Sequence, residues 1–183
     1  FRPTGRVEFL QETVDLWVTD DPRSRPLQTL ISMIWRVDVP VGETQRLRES
    51  WTLPVAVDLV GITPRANGVV TSLNLNATLP DGRQVDLLDI PDYDPHWRMP
   101  FILLEPYRLP AGTKISSSWV LANTTLNPGN PFVPLNPYVT ARRTGVVATL
   151  LHVATLDELE EQTLVSWHAD MLRSRQRPLK STP

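Results

Sequence analysis

The sequence predicts an all-β protein, an antiparallel β-sandwich with a jelly-roll-like layout. Eighteen prolines are spread along 183 residues, and proline costs about 3 kcal/mol inside a helix. Short apolar or alternating runs recur at the spacing of sandwich strands. Between them stand Pro80-Asp81-Gly82 and Pro110-Ala111-Gly112, where proline fixes one dihedral and glycine supplies a positive φ.

Taken in order, Val7, Phe9, Val14, Leu16 and Val18 alternate with polar residues, so residues 6–19 read as strand with an irregularity near Gln11. Asp20 to Pro26 is a turn-rich loop. Leu27 to Val39 reads as a strand buried on much of both faces. Further strands are expected at Arg46 to Leu53, Ala56 to Ile62, Val69 to Thr78 and Val85 to Ile90, the last pair forming a hairpin. Phe101 to Pro106, Lys114 to Ala122 and Gly145 to Ala154 complete the series, with Asn127 to Pro137 as an irregular loop. Thr155-Leu156-Asp157-Glu158 has the form of a capping box. Thr163, Val165, Trp167, Ala169 and Met171 then alternate with polar residues, so the expectation is one helical turn at 155–161 and a strand at 162–171.

The hydrophobic share of 41% can fill a core, and no apolar run approaches the roughly 18 residues of a membrane span. Trp17, Trp35, Trp51, Trp119 and Trp167 lie in apolar or alternating stretches and are expected to pack inside. A net charge of −2 gives no electrostatic case for nucleic acid. The absence of cysteine excludes disulfides, thiolate metal sites and cysteine nucleophiles. The chain opens on Phe1, which suits a protein that has lost an N-terminal signal or anchor and works on the extracytoplasmic, periplasmic side.

Residues 55–135 resemble the second subdomain of the ascorbate-dependent type II copper monooxygenases, the peptidylglycine and dopamine hydroxylases and their bacterial relatives. The likeness rests on Pro80-Asp81-Gly82-Arg83, on Leu87-Leu88-Asp89-Ile90-Pro91-Asp92-Tyr93-Asp94 with Trp97, and on Leu109-Pro110-Ala111-Gly112-Thr113. Asn123-Thr124-Thr125 with Asn127-Pro128-Gly129-Asn130-Pro131 matches the family's Asp-Asn-Ser and Asn-Pro loop, with Ala122 replacing the Asp. The resemblance implies a jelly-roll sandwich. It also implies a copper held by a His-x-His pair and a later Met, donors that suit both oxidation states. Here Arg65 and Asn67 stand at the His positions, Leu159 at the Met and Thr13 at a His for the second copper. Leu159 is expected to contribute apolar packing instead.

Other constellations select no chemistry. His96, His152 and His168 lack metal-ligand spacing and read as structural or surface residues. Asp86, Asp89, Asp92 and Asp94 lack the order of a calcium loop. No nucleophile elbow, phosphate loop or dinucleotide fingerprint is present. Asn76 and Asn123 open glycosylation triplets.

The expected organisation is N-terminal strands at 1–54, standing as a remnant of the preceding subdomain, a sandwich at 55–171 and a basic tail at 172–183. The expected function is that of a non-catalytic scaffold without cofactor, bound to other protein subunits of a larger complex, with respiratory or photosynthetic assemblies as hosts and peripheral membrane association. Trp97, Pro131, Phe132, Tyr138, Arg173, Arg175 and Arg177 are the expected interface. The alternatives are an active copper monooxygenase with other ligands, and a sandwich module binding carbohydrate or peptide.

Overall fold

The computed structural model describes residues 13–18, 20–21, 25–34, 37–66, 68–130, 138–139 and 147–176. Two four-stranded antiparallel sheets carry the fold, as the turn and strand pattern predicts. The strands are β1 (Gln28–Ile34), β2 (Asp38–Val39), β3 (Thr44–Thr52), β4 (Val57–Ala66), β5 (Val70–Thr78), β6 (Gln84–Ile90), β7 (Phe101–Leu109), β8 (Lys114–Ala122), β9 (Tyr138–Val139) and β10 (Val147–Ala154). The first sheet has the order β1-β10-β4-β7 and the second β3-β8-β5-β6, with β2 and β9 paired separately. Both sheets draw on residues before 55: β1 pairs with β10 and β3 with β8. The N-terminal strands thus belong to the sandwich itself.

Alternation sorts each strand into an inner and an outer face. On β5, Leu73, Leu75 and Ala77 are buried while Asn74 and Asn76 are half-exposed on the other side. Leu30, Trp51, Leu59, Ile62, Ile115 and Leu151 form one part of the core, and Val39, Leu73, Trp119 and Leu121 another. The hairpins close as their turn residues require. Gly82 and Gly112 sit at φ of 86° and 81°, a region where an added Cβ is strained. Leu79 and Arg83 pair across the first turn, and Thr113 caps Pro110 O in the second.

The C-terminal segment departs from expectation. Residues Glu158–Gln176 form one helix, α1, in place of a single turn followed by a strand. Its cap is Asp157, whose Oδ1 accepts the Glu160 N–H (2.8 Å), while Glu160 Oε2 accepts the Leu156 N–H (3.2 Å). The cap lies two residues later than the one read from sequence, and its return bond reaches Leu156, one residue ahead of the cap, instead of the cap itself. Acidic Glu158, Glu160 and Glu161 open the helix and Arg173 and Arg175 close it, in line with the helix dipole. Leu164 is buried, and Trp167 and Met171 pack against the core at helical spacing. Residues 172–176 therefore belong to α1, and 177–183 lie outside the described residues.

The helix lies across the side where β1 and β3 end the two sheets. Trp167 meets Trp51 of β3 with ring centroids 5.5 Å apart. The Ile31 N–H of β1 donates to His168 Nε2 (2.9 Å), and Gln28 Nε2 donates to Glu161 Oε1 (2.5 Å). Arg175 pairs with Glu49 of β3, which also accepts from the Ser32 hydroxyl of β1. Burial lowers the pKa of Arg175 from its ordinary value. The tryptophan expectation holds for Trp51 and Trp119, which are buried, and in part for Trp167. Trp17 is 90% exposed, because residues 13–18 run outside both sheets without regular structure. Trp35 lies outside the described residues.

One ionic clamp ties the strands to the chain ahead of α1. Asp58 on β4 accepts from Arg25 (2.8 Å) and from Arg108 on β7 (3.2 Å), and Arg25 also donates to Thr155 O. Burial alone would raise the Asp58 pKa, but the two arginines outweigh it and hold the carboxyl below its ordinary 3.8. A depressed carboxyl stabilises fully above its unfolded pKa and loses that contribution as pH falls through the folded one. Asp58→Asn is expected to cost about 1.5–3 kcal/mol at pH 7 and to flatten the acid limb of stability. Urea melts from pH 7 to 3 check this; an acid limb identical to wild type would refute the clamp.

Candidate functional site

Arg65 lies on β4 opposite Ala148 and is exposed. The other end of the same pair places Asp58 opposite Ala154, and α1 starts beyond that end. The two ends are separated by about 20 Å at ~3.3 Å per residue. Leu159, in the first turn of α1, is therefore far from Arg65, and it is 74% exposed. It supplies neither a ligand position beside Arg65 nor the expected packing; that role falls to Leu164, five residues on. Thr13 is exposed outside the sheets, and Asn67 lies outside the described residues. A guanidinium, a hydroxyl and an aliphatic chain so dispersed do not fit a copper centre.

The three histidines occupy separate places. His152 on β10 joins three strands, with Nδ1 3.2 Å from Thr29 Oγ1 and Nε2 2.8 Å from Thr63 Oγ1. His168 caps the backbone of β1. His96 is solvent-exposed and its Nδ1 lies 3.0 Å from Asp94 Oδ1. The His96 N–H also donates to Asp94, and these contacts hold the Asp94 carboxyl below its ordinary range. Among the described residues no three His, Cys, Asp or Glu side chains come together as a metal site.

The Asn-rich loop is a structural knot. Asn127 Nδ2 donates to Gly68 O (3.0 Å) and Ala122 O (2.9 Å), while its Oδ1 accepts the Gly129 N–H (3.0 Å). Asn123 Nδ2 donates to Val39 O, and Asn130 Nδ2 donates to Asn123 Oδ1. The loop thereby anchors the end of β8 to β2 and to the entry of β5. Asn123 has no exposed surface, so the folded protein offers no acceptor amide there. Asn76 is half-exposed on β5.

The open flank is built from β7 and the loop before it. β7 is the outer strand of its sheet, and Val60 of β4 faces the four residues 103–106 of β7, so the strand bulges outward. Leu104 at the crest is 105% exposed, Ile102 61% and Met99 66%. Gly61 permits the approach beneath, since a Cβ there would stand 2.8 Å from Ile102 Cδ1. Trp97 is half-exposed, stacked on Phe101 at 5.6 Å and fixed by its Nε1 donating to Met99 O (3.0 Å). Beside it lies a cavity of about 180 Å³ lined by Pro64, Ile90, Tyr93, Trp97 and Phe101, with Asp92 and Asp94. Burial raises the pKa of Tyr93, whose ring packs edge-on against Trp119.

Of the expected interface residues, Trp97 belongs to this flank. Arg173 is exposed and paired with Asp170 (2.6 Å). Arg175 is the correction: it is bound to Glu49 on the opposite side, because the helix extends through it and aims it at β3. Tyr138 lies opposite Val39 in the β2–β9 pair, while Pro131, Phe132 and Arg177 lie outside the described residues. The apolar bulge of β7 had no signal in alternation, since an inward strand reads the same until its edge position is known.

Asn127→Ala is expected to cost about 2 kcal/mol or more by leaving buried carbonyls unpaired. Leu159→Ala is expected to change stability by less than about 0.5 kcal/mol. Chemical denaturation of both variants checks the pair; a core-sized loss at Leu159 would contradict its exposed position.

No protein-family model matches this chain, and no curated protein matches it. Among solved structures, the VP2 subviral particle of infectious bursal disease virus is similar at 12% identity and a TM-score of 0.24, over 88% of this chain and 55% of that one. The Gt strain structure of the same virus gives 13% identity and a TM-score of 0.23, over 87% and 54%. The chain spans about half the length of these structures, and likeness at this level transfers neither fold nor function.

Proposed function

We propose that this chain is a non-catalytic scaffold or accessory subunit, a degenerate relative of the copper monooxygenase fold that docks other subunits of a larger extracytoplasmic or membrane-associated complex. The observation that carries this reading is the exposed apolar flank of Trp97, Met99, Ile102 and Leu104 on an edge strand that no described strand other than β4 pairs. Contiguous exposed apolar surface beside an aromatic anchor is what protein interfaces use. The strand edge offers backbone donors and acceptors as well. Arg65 at one end of β4 and Leu159 in the helix beyond its other end form no joint ligand site, which supports the non-catalytic part of the reading alone.

Leu104 and Ile102 point away from the core, so charge placed there spares the fold. A tagged chain recovered from native membranes in mild detergent is expected to bring down a fixed set of subunits in constant ratio. Leu104→Glu with Ile102→Lys should weaken that association about 30-fold or more, the scale of an interface hot spot. Recovery unaffected by the double variant would remove the flank from the reading. Stoichiometric copper with ascorbate-dependent oxygen consumption would overturn the non-catalytic assignment.

A further inference from the structure

The outer face of the β3-β8-β5 portion of the second sheet holds a shallow depression of about 280 Å³. Register sets its side chains in rows that cross the three strands. Arg48 stands opposite Ser118, which stands opposite Asn74; Ser50, Ser116 and Asn76 form the next row; Thr52, Lys114 and Thr78 the third. Arg48 and Lys114 are exposed, and neither forms an ion pair with a described carboxylate. The one carboxylate among the lining residues, Glu49, is already held by Arg175 and Ser32. Ser118 Oγ is shut off from solvent and has no hydrogen-bond partner, in a setting where buried hydroxyls are nearly always paired.

Two cations without an ion pair, beside hydroxyl and amide groups and with the carboxylates of Asp86 and Asp89 one strand further on β6, match an oxyanion flanked by further hydroxyls. We propose that this depression binds an acidic saccharide, its sulfate or carboxylate held between Arg48 and Lys114. The sugar hydroxyls lie along the Ser50, Ser116 and Asn76 row. Charge-assisted bonds to the anion supply most of the affinity, and the hydroxyl row supplies the preference for a saccharide over a bare ion. The site lies on a different sheet from the β7 edge and stands independently of the scaffold reading.

Titration calorimetry of the full chain with a sulfated disaccharide tests this, with the unsulfated disaccharide and inorganic sulfate as comparisons. The sulfated sugar is expected to bind saturably, about tenfold or more tighter than either comparison. Arg48→Gln with Lys114→Gln should lose at least that factor with an unchanged melting temperature. Arg83→Gln, an exposed arginine paired with Asp81 in the β5–β6 turn and outside the lining of the depression, should bind as wild type. Sulfate binding as tightly as the sugar would mean an adventitious ion only and would overturn the proposal. So would no saturation, an equal loss in Arg83→Gln, or no loss in the double variant.

Discussion

The seating of α1 across the β1–β3 side is the contact on which this sandwich depends. A two-sheet sandwich of four strands each has two open sides, where inner faces meet water and edge strands show unpaired backbone. Here Leu164, Trp167 and Met171 cover the apolar gap, with Trp167 against Trp51. His168 takes the outward Ile31 amide, and Arg175 clamps Glu49 at the far end of the helix. Apolar burial supplies the affinity of helix for sheet, and the polar contacts set its register along β1.

The opposite side is treated in another way. β7 and β6 end the two sheets there, and the described residues show no helix laid over β7. Glu105 and Pro106 sit in the stretch of β7 that has no partner on β4 and the bulge lifts Leu104 clear, features that blunt self-pairing of an edge. Yet Ile102, Leu104, Met99 and Trp97 keep that edge apolar. An edge guarded against indiscriminate pairing but left apolar is suited to one shaped partner. The scaffold reading rests on this contrast between a sealed side and an open one.

Most of the strand framework was legible because it is local. Alternation placed Lys114–Ala122 to the residue, and Pro-Asp-Gly and Pro-Ala-Gly marked turns that only glycine completes. The helix was not, because residues 163–171 satisfy two periods at once. Trp167 and Met171 belong both to the alternating set and to the helical stripe of Leu164, Trp167, His168 and Met171. Packing against Trp51 and the Asp157 cap decide between them, and the first is a long-range contact. The same limit applies to Leu159 and Arg65. Sequence order could not show that a whole strand length separates them, since that follows from the pairing of β4 with β10.

Residue-resolved hydrogen exchange of the isolated chain tests the contrast between the two sides most directly. The account predicts that the Ile31 amide, though on an edge strand, exchanges as slowly as core amides such as that of Leu151, while the outward amides of β7 near Leu104 exchange fast. Fast exchange at Ile31, or β7 amides protected as well as those of β1, would contradict it.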